Sequence, residues 1–425
     1  MKHRTGLLSQ YGGLRREIYI LFFGRIVTNM GSMVWPMLTM ILSQKLGFSA
    51  GRISILFVAS TVIMMPVNLL GGKLADKCNK KNFIVVCDTV SIFCYIACGL
   101  LPLTFFSVIL MLCAAVCQSM EHPSYSALTA DLTATADRER AFSLLYLGGN
   151  LGLVLSPTIA GMLFKDYLWL SFLISAAAIA CSTVLIFFRI RDIRPEKDES
   201  AQSVYQTARS GESLWHILRE NRILLIYLVI TALSWSAYGQ YSYLMPLDMG
   251  RVHGEDGALL YGTVSSLNCI VVVLFTPLIT RLFAKVTEPG KLLIGLGLLS
   301  VGYLLFLLLL GHIPVYYVAM LLFTWGEIFM TLVEGPYLSR RIPASHRGRI
   351  NGLSSVLAAV ISSVSDLSAG QLYDRVSPAG AWSLVLGMLA AAIFLTFSLR
   401  ITDRKTYPAL YEAKEDDAPP QAETE

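Results

Sequence analysis

The sequence predicts an all-α integral membrane protein with twelve transmembrane helices in two pseudo-symmetric six-helix halves. Three observations predict this fold class: an apolar composition, apolar runs of membrane-spanning length, and a repeat between the two halves of the chain. Of the 425 residues, 55% are hydrophobic and 15% are charged, whereas soluble proteins have about 25% charged residues. Together with a mean hydropathy of +0.59, this composition excludes a soluble enzyme.

The apolar runs give the number and type of the spans. Each run is long enough to cross about 30 Å of hydrocarbon as a helix. The runs are continuously apolar and do not alternate, which excludes an outer-membrane barrel. In chain order we expect spans at residues 18–42, 53–72, 82–102, 105–128, 141–163, 168–188, 223–246, 258–282, 290–311, 314–337, 351–371 and 379–399.

The distribution of cations predicts the orientation. With the N-terminus in the cytosol, the predicted cytosolic segments carry 28 Lys and Arg residues and the external segments carry 5. Cytosolic loops of membrane proteins are enriched in these residues. We therefore expect a multi-pass protein of the cell (plasma or inner) membrane, embedded in the lipid bilayer, with both termini in the cytosol. The net charge of +5 needs no nucleic-acid partner to explain it.

Residues 191–221 form the one long polar stretch and are predicted to be a cytosolic linker with a short amphipathic helix. The linker separates an N-terminal half, residues 1–190, from a C-terminal half, residues 222–402, and residues 403–425 are predicted to be a disordered cytosolic tail. Three matches at nearly one offset indicate a duplicated unit. The matches are Pro36 with Pro246, Arg138-Glu-Arg140 with Arg347-Gly-Arg349, and Glu121-His-Pro123 with Glu334-Gly-Pro336.

The segment between spans two and three carries the clearest motif. It runs from Gly72 through Asp76 and Lys77 to Lys80 and Lys81. It resembles the G-x-L-A-D-R-x-G-R-K loop signature of the major facilitator superfamily, with Asn79 where that family prefers Gly. The resemblance implies a transporter fold, and charges in a tight loop can make contacts in one state and release them in another. These five residues are therefore candidates for gating.

Two further stretches resemble the same family. Gly152 to Gly161 is similar to the G-x-x-x-G-P-x-x-G-G motif of drug/proton antiporters, with Ser156 and Ala160 as departures. Gly326-Glu327, Pro336 and Arg347-Gly-Arg349 resemble the multidrug-exporter-like branch. The resemblance adds Pro157, Arg138 and Arg347 to the gating candidates.

Polar side chains inside the spans are the candidates for a transport pathway. A charged side chain at the bilayer centre costs about 2.5–3.5 kcal/mol on insertion scales, so those present usually face a cavity or a partner. They lie on spans one, four, seven and ten, which line the central path in the superfamily. Glu327 is the deepest acid and the first candidate for the coupled proton, followed by Glu121 or Glu334. The candidates for the substrate and proton pathway are Arg25, Asn29, Gln118, Glu121, His122, Trp235, Tyr238, Tyr241, Glu327 and Glu334.

Other interpretations of these residues remain open. Arg25, expected on one helix face with Asn29, Ser32 and Pro36, could extend toward the cytosol instead of pairing with an acid. Asp88 could satisfy backbone groups, His122 could be structural, and the aromatic residues of span seven could be ordinary packing. The eight Cys lie mostly inside apolar runs and predict small buried residues; a soft-metal site is the alternative, and we expect none.

The function predicted from these features is secondary transport. The sequence contains no G-x-x-x-x-G-K-[ST] motif, no H-E-x-x-H pair and no Ser/His/Asp set, so we expect neither an enzyme nor a cofactor. The predicted protein is a monomer that works by alternating access and exports small amphipathic or cationic compounds in exchange for protons. The alternatives are a lipid or lysolipid flippase, a proton-coupled uptake symporter, and a non-transporting membrane sensor on a transporter scaffold.

Overall fold

A computed structural model describes residues 12–77, 79–133, 137–190, 222–309, 311–341, 347–408 and 410–411. The regular structure in these ranges is helical. In chain order the helices are α1 (Arg16–Met30), α2 (Val34–Met40, continued by a π-helical turn at Ile41–Lys45), α3 (Ala50–Lys77), α4 (Lys80–Leu100), α5 (Phe105–Asp131), α6 (Arg138–Leu153), α7 (Ser156–Leu163), α8 (Leu168–Arg189), α9 (Arg222–His253), α10 (Asp256–Leu282), α11 (Glu288–Leu308), α12 (Ile313–Arg341), α13 (Arg347–Arg375) and α14 (Pro378–Thr406).

The predicted spans are confirmed. Twelve helical stretches of the described chain are long and apolar enough to cross a membrane. Two of them contain a break that the apolar pattern did not predict: α1 is separated from α2, and α6 from α7. The first break corrects the expectation of one continuous polar face, because α1 ends at Met30 while Ser32 lies in the break and Pro36 lies in α2.

The break after α1 is fixed by contact with α8. A side chain on Gly31 would collide with Ala178, so the backbones approach closely at this position. The Ser175 hydroxyl donates a hydrogen bond to the Gly31 carbonyl. The same carbonyl also accepts a hydrogen bond from the Met33 backbone nitrogen at 2.8 Å, so it has two donors just beyond the end of α1.

The described chain forms two compact units. The first takes its residues from Met1–Ser200, Tyr241–Val273 and Asp366–Pro378, and the second from Ala201–Gln240, Leu274–Ser365 and Ala379–Glu425. Helices α9, α10 and α13 therefore contribute to both units. The predicted linker, residues 191–221, lies outside the described residues, so the predicted domain boundary stays a prediction.

In the first unit, α4 packs against α5 and α8, and α1 packs against α6 and α8. A small residue allows the closest approach: a side chain on Gly152 of α6 would come within 2.5 Å of the Ile26 carbonyl oxygen of α1. These contacts hold α1, α4, α5, α6 and α8 around a shared space, which contains the candidate site.

The second unit is centred on α11 and α12, where Gly295 and Gly326 face each other across the contact. Its interior also contains a buried ion pair, in which Arg341 Nη2 lies 2.7 Å from Asp403 Oδ2. Asp403 belongs to α14, which continues to Thr406. This corrects the predicted start of the tail at residue 403: the charged residues there continue the helix, because Asp403 has a buried cationic partner.

Candidate functional site

The first unit encloses a cavity of about 470 Å³ between α1, α2, α4, α5, α6 and α8. Five predicted pathway residues line it together: Arg25, Asn29, Gln118, Glu121 and His122. The structure therefore brings the polar side chains predicted on spans one and four together in one cavity. The other polar and aromatic lining residues are Thr28, Ser32, Trp35, Asp88, Tyr95, Tyr125, Ser126, Thr129, Phe142, Tyr146, Ser175 and Ser182.

Asn29 and Arg25 share the α1 side of the cavity with α6. The Asn29 amide nitrogen donates to the Gly149 carbonyl oxygen at 3.0 Å, and a side chain on Gly149 would meet the side chains of Asn29 and Arg25. Arg25 lines the cavity but forms no salt bridge with an acid among the described residues. The expected direct pairing with an acid is therefore not formed in this structure.

Two carboxyl groups meet inside the cavity. Asp88 of α4 is 4% exposed and Glu121 of α5 is 7% exposed, and the two groups lie within hydrogen-bonding reach of each other. The Thr183 hydroxyl of α8 donates to Asp88 Oδ2 at 2.7 Å. Glu121 Oε2 is buried and has no hydrogen-bond partner in the described structure. We call Asp88 and Glu121 the acid pair.

The second unit contains a separate group of predicted pathway residues. The Trp235 indole nitrogen of α9 donates to Glu334 Oε2 of α12 at 3.0 Å, and the Tyr238 hydroxyl donates to Glu327 Oε2 at 2.6 Å. The two rings meet edge to face at 5.6 Å. We call these four residues the aromatic–acid cluster. Tyr241, the remaining candidate, is half-buried in the part of α9 that belongs to the first unit.

At one end of the first unit, residues between 44 and 165 contact residues between 248 and 374. Glu255 lies 3.9 Å from Lys45 Nζ and 3.3 Å from Lys165 Nζ. Its hydrogen bond to Lys165, together with its charge, raises the pKa of Lys165 above 10.5. The ion pair therefore keeps its cation across the physiological pH range. We name this end the Lys45 face, formed by Gln44, Lys45, Ala50, Gly51, Lys165, Asp248, Gly254, Glu255, Tyr373 and Asp374.

Asp374 of α13 makes two hydrogen bonds on the Lys45 face. Its two carboxylate oxygens accept hydrogen bonds from the backbone nitrogens of Gly51, at 2.7 Å, and Ala50, at 3.1 Å. These nitrogens are at the N-terminus of α3, where unpaired amide groups and the helix dipole favour an anion. On the same face, the Tyr373 hydroxyl donates to Asp248 Oδ1 at 2.7 Å.

Asp248, Glu255 and Asp374 are not among the residues predicted from the sequence. The available signal was their position: each acid lies at or just beyond the predicted end of a span, where a carboxylate can reach the start of another helix. Their partners come from sequence positions 90 to 324 residues away, so the pairing itself depends on the fold.

The gate motif is described only in part. Gly72, Asp76 and Lys77 lie on the last turns of α3, and their side chains are outside the described part of the structure. Lys80 bridges α4 to α5 through Asp131 at 2.7 Å, and Lys81 Nζ lies 5.2 Å from the centre of the Phe187 ring. Arg138 and Arg347 begin α6 and α13, and their side chains are likewise outside the described part.

Pro157, the last gating candidate, is buried where α7 contacts α10. A side chain on Gly262 would collide with the Pro157 carbonyl, and the Thr158 and Ser266 hydroxyls are hydrogen-bonded at 2.7 Å. Gly161, one turn further along α7, approaches the backbone at Ala258. The antiporter-like motif thus provides a close helix contact in the first unit.

Among the described residues, no three His, Cys, Asp or Glu side chains are grouped as metal ligands. The arrangement instead offers a polar cavity inside a bundle of membrane-spanning helices, with buried carboxylates and aromatic rings. A cavity of this kind in a multi-pass membrane protein defines a transporter for small molecules or ions.

Comparisons with known proteins identify the family. The Major Facilitator Superfamily profile matches residues 21–365. The chain belongs to the major facilitator superfamily and is a multi-pass plasma membrane transporter, not an enzyme.

The chain is 23% identical over 348 residues to a Na(+), Li(+), K(+)/H(+) antiporter of Planococcus maritimus. The match covers 76% of this chain and 81% of the relative. It is 21% identical to the quinolone resistance protein NorA of Staphylococcus aureus over 366 residues, 85% of this chain and 91% of the relative. The fold is similar to that of a POT family transporter solved with 5-aminolevulinic acid, with a TM-score of 0.76 and 15% identity. The match covers 93% of this chain and 97% of that one.

Proposed function

We propose that the protein is a proton-coupled exporter of small amphipathic or cationic compounds that works by alternating access. It acts as a monomer in the lipid bilayer, with both termini in the cytosol. The observation that carries this proposal is the cavity of about 470 Å³, which combines buried acids with a single lining arginine. Buried carboxylates with few cationic partners can take up either protons or a cationic ligand.

The aromatic–acid cluster supports the same class of substrate. Trp235 and Tyr238 present rings beside the carboxylates of Glu334 and Glu327. Rings attract cations through their faces, and the carboxylates add charge complementarity. Amphipathic cations combine an apolar body with a positive charge, so they match both features. The relative named as a quinolone resistance protein and the one named as an antiporter are in keeping with this proposal.

The test uses vesicles that contain the purified protein and a pH gradient. Ethidium serves as the amphipathic cationic probe, and its movement is followed by fluorescence. We expect ethidium to move in the direction opposite to the protons, which flow down their gradient. Ethidium movement should stop when a protonophore collapses that gradient. Ethidium movement that is unaffected by the protonophore, or no movement beyond that in protein-free vesicles, would refute the proposed function.

A second candidate function is exchange of monovalent metal cations for protons. Hard cations bind carboxylate, carbonyl and hydroxyl oxygens, and the cavity offers the acid pair together with Ser175 and Ser182. The same vesicles, loaded with a sodium-sensitive dye, distinguish the two candidates. Sodium movement driven by the pH gradient, without ethidium movement, would favour this second function.

A further inference from the structure

The acid pair is buried and differs in its hydrogen bonds from the half-buried acids of the aromatic–acid cluster. Glu327 and Glu334 each accept a bond from a neutral aromatic donor, at 2.6 and 3.0 Å. Asp88 accepts a bond from Thr183, but Glu121 Oε2 is buried without a donor in the described structure. An unpaired buried carboxylate oxygen costs free energy, and a proton on one carboxyl group supplies the missing donor to the other.

The charges around the acid pair also favour a state in which the two carboxyl groups together bind one proton. The groups that interact with it are Arg25 from α1, Cys87 from α4, Cys117 and Tyr125 from α5, and Thr183 from α8. His122 of α5 lines the same cavity and is near Arg25. Among the described lining residues, α2 and α6 contribute no charged side chain. Two adjacent carboxylates repel each other strongly when little solvent separates them, so both cannot easily be charged. One shared proton leaves a single carboxylate for the single guanidinium.

We infer that Asp88 and Glu121 share one exchangeable proton and that this pair is the proton-coupling site of the transporter. The inference rests on the proposed function for its coupling role, whereas the shared proton can be measured without any substrate. A proton on the pair reduces the negative charge of the cavity, so proton occupancy and binding of a cation oppose each other. This opposition is the physical basis of exchange, since one bound ion favours the release of the other.

The shared proton is tested by proton uptake of the purified protein in weakly buffered detergent solution. The pH is lowered from about 8 to about 5, and the protons taken up per molecule are counted with an indicator dye. We expect Glu121→Gln to take up about one proton fewer than the wild type, and Asp88→Asn likewise. The double variant should also lose about one proton, because the two carboxyl groups hold one proton between them.

Other protonation states of the acid pair predict different numbers of protons taken up. Two independent protons predict that the double variant loses about two, and a pair that stays charged predicts no loss in any variant; either result would overturn the inference. Glu327→Gln is the control, because it removes a half-buried acid inside a span that already has a donor. It should take up as many protons as the wild type. Loss of the proton in Glu327→Gln, with full uptake in Glu121→Gln, would assign the site to Glu327 instead.

The coupling role is tested in the vesicles with ethidium. Glu121→Gln resembles the permanently protonated acid, so it should lose ethidium transport driven by the pH gradient and retain ethidium exchange without a gradient. Gradient-driven transport at the wild-type rate in Glu121→Gln would contradict the coupling role. If the wild type itself moves no ethidium, the proposed function fails, and the proton counts still decide whether the pair shares a proton.

Discussion

At the scale of single residues, the partner of each buried acid decides what it can do. Tyr238 donates to Glu327 from the α9 side at 2.6 Å, which holds the carboxylate in one position beside the aromatic rings. A carboxylate held in this way attracts a cationic ligand without having to reorganise. The sequence placed Glu327 deepest among the acids, and from its hydrogen bond we propose a role in ligand binding.

Glu327→Gln should lower the affinity for ethidium about tenfold, which corresponds to about 1.4 kcal/mol, because the variant keeps the shape and loses the charge. A neutral amphipathic dye should bind with unchanged affinity. Fluorescence titration of the purified protein measures both dyes. Glu17→Gln, which removes an acid at the start of α1, is the control. Equal loss of affinity for the neutral and the cationic dye would show that Glu327 supports the fold instead of the ligand.

A second residue-scale feature stabilises the junction of α12 and α14. Arg341 and Asp403 are both fully buried, and the Tyr337 hydroxyl also donates to Asp403, at 2.8 Å. Removing one partner of a buried ion pair leaves an uncompensated charge and typically costs about 3–5 kcal/mol. The pair is therefore a requirement of the folded second unit.

Arg341→Met should lower the apparent unfolding temperature in detergent by more than about 5 °C. The double variant Arg341→Met/Asp403→Leu should recover most of the loss, because it leaves no unpaired charge. Arg400→Met is the control: Arg400 lies on α14 like Asp403 but its side chain is exposed, so its loss should have little effect. A double variant no more stable than the single one would argue against the ion pair as the cause.

At the scale of helices, much of the fold could be predicted and the breaks could not. Twelve spans follow from apolar runs because length and hydropathy are local properties of the sequence. The breaks at Gly31 and after Leu153 depend on contacts with other helices, such as Ala178 against Gly31. The polar side chains on one face of α5 were predictable from their spacing in the sequence. The pairing of Asp88 with Glu121 was not, because it depends on how α4 packs on α5.

The contact between α7 and α10 is set by glycine. A methyl group at Gly161 would come 2.6 Å from the Ala258 carbonyl oxygen, which is closer than atoms in contact can approach. Overpacking of this kind typically costs about 1–3 kcal/mol. The contact lies in the first unit beside the Thr158–Ser266 hydrogen bond, so it contributes to the closed arrangement of that region.

Gly161→Ala should separate α7 from α10 and expose Ser266. A cysteine placed at Ser266 should react with a maleimide at least about five times faster in the Gly161→Ala background, which corresponds to about 1 kcal/mol. Gly297→Ala is the control, since nothing lies within 4 Å of a methyl group at that position. An unchanged labelling rate in Gly161→Ala would show that this contact does not limit access.

At the scale of the whole molecule, the alternating access that we propose requires the Lys45 face to open. Its ion pairs are partly exposed, with side-chain exposures of 24% for Lys45, 60% for Lys165 and 54% for Glu255. Exposed ion pairs contribute little stability because solvent screens them. The carboxylate of Asp374 at the N-terminus of α3 adds about 0.3–2 kcal/mol. These contacts are strong enough to favour one state and weak enough to be exchanged for others during transport.

Under the proposed function, each movement of a cationic compound across the membrane is coupled to movement of a proton in the opposite direction. Linkage requires the coupling to be reciprocal: if a proton gradient drives the compound, a gradient of the compound must drive protons. The reverse direction is the more direct test, because it detects the proton itself. It also excludes passive accumulation of a charged dye in response to a pH gradient.

The decisive measurement therefore uses vesicles that contain the protein, an internal pH indicator and no initial pH gradient. Ethidium is added outside while potassium and valinomycin hold the membrane potential at zero. We predict that the interior becomes more alkaline as ethidium enters, and that Glu121→Gln vesicles take up ethidium without this change. Ethidium entry through the wild-type protein at constant internal pH would contradict the account.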